Sequence, residues 1–124
     1  MLVYQTFATP LLEPLEAQRL YEAFAIVGRN MDPAYFETCA TEAGFTIIDR
    51  DAIGSEWREW WEVEGSRRTS TNLQRAAVLV RGVESVRKVI GAKAYEFTLA
   101  DQLWGIYQMI GKLRPTIYLL RRRG

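Results

Sequence analysis

The 124-residue chain contains no histidine and a single cysteine, Cys39. Histidine is the usual general base near neutral pH and the commonest metal ligand. Its absence excludes histidine-dependent catalytic triads and argues against a zinc site. One cysteine cannot form an internal disulfide, which is typical of proteins from a reducing compartment. Chemistry in this chain must therefore depend on carboxylates, tyrosines, lysines or the positioning of reactants.

Long apolar runs and a strong net charge are also missing. No stretch is long and apolar enough for a transmembrane helix, and residues 1–5 lack the basic region that opens a signal peptide. We therefore expect a cytoplasmic protein without a membrane partner. The formal net charge is +1, which gives no indication of a nucleic-acid partner. The three arginines at 121–123 are fewer than a polybasic patch needs and are interpreted as a solvated end.

The hydrophobic pattern predicts one α/β domain, since 124 residues are not comfortably enough for two. Runs rich in β-branched and aromatic residues predict strands near residues 2–7, 45–50 and 115–120. Apolar positions three and four apart predict five helices, near 14–28, 32–43, 56–64, 71–90 and 92–110. Asp32 followed by Pro33 is a strong helix start. The predicted helix terminators are Gly28, Gly44, Gly65, Gly91 and Gly111.

Five segments carry a resemblance to one family: VYQTFAT (3–9), NMDPAYFE (30–37), EAGF (42–45), GSEWRE (54–59) and DQLWGIYQMIGKL (101–113). Together they resemble the C-terminal region of the class I, S-adenosylmethionine-dependent small-molecule methyltransferases. The similarity spans nearly the whole chain, which would be a single domain over 1–124. The family fold is a Rossmann-like sheet of order 3-2-1-4-5-7-6. The resemblance therefore implies a partial sheet of three strands, order 5-7-6, whose last strand is antiparallel.

In that alignment residues 2–8 match the fifth strand, 45–51 the sixth and 115–121 the seventh, and 53–113 match a helical insertion that covers the substrate. The implied activity is transfer of a methyl group from S-adenosylmethionine to a small acceptor. Such an in-line displacement needs positioning more than a base, so the lack of histidine is no objection. The family's Gly-rich cofactor loop has no counterpart here. This chain alone is therefore not expected to hold the cofactor.

Candidate acceptor-binding residues come from two features. In open α/β sheets, ligands lie beyond the carboxyl ends of the parallel strands, which in the complete fold places the end of the first predicted strand near the site. Tryptophans and tyrosines suit a flat or cationic acceptor, although core packing is their commoner role. The candidates are Gln5, Thr6, Phe7, Trp57, Trp60, Trp104 and Tyr107. No catalytic residue is assigned. The charged trio Glu56, Arg58 and Glu59 could orient a substrate, although a solvated helix face is its commoner role.

An unpaired strand edge is the last expectation. A family sheet that begins at its fifth strand exposes the backbone N–H and C=O groups of that strand, and such an edge recruits another strand. We therefore predict either a homodimer with a six-stranded sheet or a separate chain that supplies an N-terminal half. A second functional hypothesis stays open: a non-catalytic module derived from this fold that dimerises or binds a small ligand.

Overall fold

Three strands form one antiparallel sheet. The computed structural model, which describes residues 1–124, contains β1 (Leu2–Ala8), β2 (Phe45–Ala52) and β3 (Leu113–Arg122) in the order β1-β3-β2. β3 runs antiparallel to both neighbours, so β1 and β2 run parallel to each other. The α/β class that the sequence predicted is confirmed, and the strand order and directions agree with those that the resemblance implied.

Six α-helices connect the strands, where the sequence predicted five. They are α1 (Pro14–Phe24), α2 (Pro33–Glu42), α3 (Glu56–Glu64), α4 (Arg68–Arg81), α5 (Val83–Ile90) and α6 (Ala92–Met109). The prediction of one continuous helix over 71–90 was wrong, because Gly82, with φ −108° and ψ 32°, separates α4 from α5. A glycine inside a helix weakens it by about 1 kcal/mol relative to alanine, so the chain can break there.

The end of α1 is a second correction. The helix stops at Phe24, because Ala25 adopts the left-handed conformation and the N–H of Ile26 donates to the carbonyl of Tyr21 at 2.9 Å. Gly28 therefore ends no helix and instead begins a short 3₁₀ turn, Gly28–Met31. The start of α2 is confirmed, since Asp32 Oδ1 accepts from the N–H of Ala34 at 2.9 Å. The other four predicted terminators have positive φ at or just after helix ends: Gly44, Gly65, Gly91 and Gly111.

The core is divided among three clusters. On one face of the sheet, α2 packs over a cluster of buried residues, Phe7, Ala40, Tyr118 and Leu120. On the other, α1 and α6 close over Leu20, Met31, Ala100 and Leu113. The third cluster contains only helical residues from α4 and α6, Ala76, Leu79, Tyr95 and Leu99. Residues between β2 and β3 therefore form a helical layer that extends beyond the sheet. None of these helices combines the length and hydropathy that a bilayer crossing requires.

A buried tyrosine anchors β3 to its neighbours. Tyr118 is fully buried, and its hydroxyl donates to Glu37 Oε1 at 2.8 Å. Arg50 of β2 pairs with the same carboxylate, with 2.6 Å between Nη2 and Oε2. Burial, followed by the nearby Glu37 carboxylate, raises the pKa of Tyr118 to about 12. The folded state therefore holds the phenol proton more tightly than the unfolded chain does.

A pH dependence follows for Tyr118→Phe. Because the pKa of Tyr118 in the folded state exceeds the unfolded value of about 10, its contribution is complete below pH 10 and is lost as the pH rises towards 12. We expect wild type to be more stable than Tyr118→Phe by about 1 kcal/mol at pH 8. That difference should fall by about 2 kcal/mol by pH 12. Urea unfolding at a series of pH values tests this, and a constant difference between the two proteins would contradict it.

Candidate functional site

Polar side chains are buried beneath α6, where apolar ones would be expected. Gln102 and Gln108 are only 5% and 6% exposed, and Thr6 of β1 is 7% exposed. A buried polar group without a partner costs about 1–3 kcal/mol, so such groups need a specific network. The three-residue spacing of Gln102, Gly105 and Gln108 places them on one side of α6.

Arg58 of α3 is the centre of that network. Its Nε donates to Gln108 Oε1 at 3.0 Å, and its Nη1 donates to Asn72 Oδ1 at 3.1 Å. Asn72 Nδ2 in turn donates to Gln102 Oε1 at 2.8 Å. A Cβ atom at Gly105 would lie 2.4 Å from Asn72 Oδ1 and 2.9 Å from Arg58 Nη1. The missing side chain of Gly105 therefore makes room for the network that joins α3, α4 and α6.

The Arg58 guanidinium has no acidic partner. Desolvation lowers its pKa, and the positive charge of Arg68 adds to that lowering, although Tyr4 and Glu62 oppose it. The ion pairs of the protein lie elsewhere, at Arg19–Glu96, Arg50–Glu37 and Lys112–Glu16. Arginine keeps its proton even so. A positive charge is thus held in a half-buried position by neutral amide oxygens.

One aromatic ring contacts this charge, and an aromatic pair joins α3 to the sheet. The Trp61 ring centroid lies 5.2 Å from Arg58 Cζ and 4.4 Å from Arg68 Cζ, so one indole contacts two guanidinium groups. Tyr4 of β1 stacks on Trp57 of α3, with ring centroids 5.8 Å apart and planes 6° apart. These contacts fix α3 against both the sheet and α4.

Trp104 is part of the wall of two cavities. The first, here called the arginine cavity, is about 430 Å³ and is lined by Arg58, Trp61, Arg68, Asn72, Arg75 and Trp104 among others. The second, the strand cavity, is about 460 Å³ and lies between β1 and the turn at 25–31, with Tyr4, Gln5, Thr6 and Trp104 in its wall. Both volumes suit a small organic molecule.

The structure brings together part of the predicted acceptor site. Gln5, Thr6 and Trp104 line the strand cavity. Trp57 lies next to it through its stacking on Tyr4. Trp57 is therefore a neighbour of the cavity wall, while the other three are part of it.

The remaining predicted residues lie away from both cavities. Phe7 is buried in the core under α2, with its ring 5.7 Å from that of Phe36. Tyr107 belongs to the cluster between α1 and α6, and its ring faces Lys112 Nζ at 5.6 Å. Trp60 is 62% exposed and lines neither cavity. The structure assigns packing contacts to Phe7 and Tyr107, and a solvent-facing position to Trp60.

The interpretation of the charged trio as a solvated face of α3 was wrong for Arg58. Glu56 and Glu59 are exposed, but Arg58 turns inward to Gln108. Sequence reasoning also missed Asn72, Gly105 and Gln108 as parts of a site. The one available signal was a glycine in the middle of the long helix α6, which is unfavourable for a helix unless something approaches it closely.

These residues form neither a metal-ligand cluster nor a Gly-rich loop. No group of three or more His, Cys, Asp or Glu side chains lies close enough together to hold a metal ion. The glycines with positive φ stand singly at helix ends and turns, rather than in a Gly-rich loop that opens a helix. A scan of protein-family models finds none that matches the chain, and a search of curated proteins finds no matching relative.

Proposed function

We propose that this chain forms the acceptor-binding part of an S-adenosylmethionine-dependent methyltransferase that acts on a small molecule. The observation that carries the proposal is the strand arrangement, in which β3 lies antiparallel between two strands that run parallel to each other. The resemblance implies this arrangement for the fifth, seventh and sixth strands. The helical layer between β2 and β3 stands where the resemblance implies a substrate-covering insertion.

The strand cavity supports the acceptor role. Trp104 supplies a flat apolar wall, and its indole is fixed by an edge-to-face contact with Phe24 at 5.7 Å. Gln5 and Thr6 supply polar groups at the side of β1. Methyl transfer requires that the acceptor atom be held in line with the donor sulfonium, and a rigid aromatic wall with a few polar groups serves that purpose. The donor would be held by residues outside this site.

A second candidate is a ligand-binding or dimerising module without group transfer. The lack of a Gly-rich loop in the chain favours it, as does the unpaired outer edge of β1. The two candidate functions share the ligand site and differ in whether a second, cofactor-binding segment is required. The enzyme requires a partner segment with a Gly-rich loop, encoded upstream in frame or by a neighbouring gene, and the module does not.

Calorimetry and ligand-observed NMR test the proposal. We expect no saturable heat when S-adenosylhomocysteine is titrated into the purified chain, because no cofactor loop is present. We expect saturation transfer to planar aromatic probes, and about a tenfold loss of affinity in Trp104→Leu, since a lost aromatic contact is worth roughly 1–2 kcal/mol. Trp60→Leu is the matched control because Trp60 lines neither cavity.

Three results would count against this assignment. Saturable binding of S-adenosylhomocysteine by the chain alone would contradict the division of roles. Equal affinities in Trp104→Leu and Trp60→Leu would place the aromatic ligand elsewhere. Failure of the chain to transfer a methyl group, once it is combined with a partner that carries a Gly-rich half, would leave the non-catalytic module.

A further inference from the structure

The arginine cavity has an excess of positive charge. Arg58, Arg68 and Arg75 line it, and Asp101 is the one acidic residue in its wall. None of these four side chains is part of an ion pair. Like charges repel when they share a partly desolvated site, so the arrangement raises the free energy of the unoccupied protein.

A second acidic side chain near this group, outside the cavity wall, is engaged elsewhere. Glu62 of α3 accepts from the N–H of Ser70 at 2.9 Å and from its hydroxyl at 2.6 Å. These two hydrogen bonds lower the pKa of Glu62 and hold its carboxylate at the start of α4. Glu62 influences Arg58 only at a distance. Neither Asp101 in the cavity wall nor Glu62 forms an ion pair with any of the three arginines.

The Arg58 fork retains donors for a ligand. A guanidinium carries five N–H donors, and here Nε serves Gln108 and one Nη1 hydrogen serves Asn72. The remaining hydrogens have no protein acceptor. The two amide oxygens and the space at Gly105 fix the direction of the fork, so it is preorganised. A fixed guanidinium suits a carboxylate, which can accept two parallel hydrogen bonds.

The cavity also offers flat apolar walls. Trp61 lies on one side, against the guanidinium groups of Arg58 and Arg68. Trp104 is also part of the wall of the arginine cavity, and it lines the strand cavity as well. A planar ring attached to a carboxylate therefore fits against an indole while the carboxylate faces the arginines.

We infer that the arginine cavity binds the carboxylate of a planar aromatic acid, with Arg58 as its principal contact and Arg68 and Arg75 as supporting charges. The ring of the ligand lies against Trp104. Binding of the acid does not depend on the proposed function. The further step, that this acid is also the methyl acceptor, rests on the proposed function.

Two matched probes test the inference by calorimetry on the full chain. 2-Naphthoate and its neutral amide, 2-naphthamide, share one ring system and differ in charge. We expect naphthoate to bind at least about tenfold more tightly, as a charge-assisted bidentate pair would provide. Arg58→Gln should remove most of that preference. Arg75→Gln should weaken naphthoate binding about threefold, because an exposed charge contributes less than a half-buried one.

Arg81→Gln is the control, because Arg81 is exposed on the same helix and lines neither cavity. Its affinity should equal that of wild type. If Arg58→Gln fails to fold by circular dichroism, Arg68→Gln and Arg75→Gln carry the test, since both side chains are exposed. Equal affinity of wild type for naphthoate and naphthamide would overturn the inference. Tight binding of inorganic phosphate that excludes naphthoate would also overturn it.

Failure of this inference and failure of the proposed function give different results. If naphthamide and naphthoate bind equally and both depend on Trp104, the carboxylate contact is wrong, but the proposed acceptor site stands. If naphthoate binds through Arg58 but is never methylated in the presence of a Gly-rich partner, the carboxylate site stands and the proposed methyltransferase function is wrong.

Discussion

Gly105→Val is expected to lower the free energy of unfolding by about 3 kcal/mol, the sum of overpacking and of amide groups left without partners. The first Cβ atom alone would lie 2.4 Å from Asn72 Oδ1 and 3.1 Å from Arg58 Cζ. Both side chains must therefore move away. Gln102 would then lose its donor, and Arg58 its amide acceptors. For a chain of this size, thermal unfolding should occur about 10 °C lower than in wild type.

Ala94→Val is the matched control for this substitution. Ala94 is exposed near the start of the same helix, so it isolates the small helix-propensity cost of a β-branched residue, about 0.6 kcal/mol. Gly105→Val should also abolish the preference for naphthoate over naphthamide. If both variants unfold at the same temperature, the network around Arg58 does not stabilise the fold. If Gly105→Val keeps the preference for naphthoate, the network does not orient Arg58 towards the ligand.

Local signals predicted the elements better than they predicted their limits. Asp32 and Pro33 identified a helix start because a cap and a proline act within two residues of the position concerned. The break at Gly82 was missed because apolar spacing continues through it, from Val80 to Val83 and Val86. The strand order is a long-range property that periodicity does not contain. It came from the family resemblance, and the sheet pairing agrees with it.

Some of the proposed acceptor residues line a cavity and others do not, because successive side chains of a strand point to opposite faces of the sheet. Gln5 and Thr6, which were proposed from the carboxyl end of the first strand, line the strand cavity. Phe7 follows them in sequence, but it points to the core under α2. The inward contact of Arg58 was not predicted, because its partner Gln108 is fifty positions away and no local pattern encodes that pairing. The aromatic residues gave a composition typical of a pocket without saying which of them faced it.

The outer edge of β1 allows a sharp test of the partner prediction. Met1 and Leu120 exchange two backbone hydrogen bonds of 2.8 Å, which fixes the phase of the β1–β3 ladder. In an antiparallel ladder such pairs alternate, so Val3, Gln5 and Phe7 face β3. The N–H and C=O groups of the residues between them face outward, and no strand pairs with them. Leu2 and Tyr4, which are 72% and 50% exposed, leave this edge uncovered.

We expect purified wild type to self-associate through this edge, with Tyr4→Pro a monomer under the same conditions. Proline lacks the N–H that points outward at this position. The hydrogen bonds between β1 and β3 do not use that N–H, so an edge strand tolerates the proline and the fold is preserved. Tyr4→Ala loses the same ring but keeps the N–H, and it should still dimerise. Light scattering after size-exclusion chromatography measures the mass of each protein. A monomeric wild type at high concentration, with Tyr4 and Thr6 amides already protected from hydrogen exchange, would show that this edge needs no second strand.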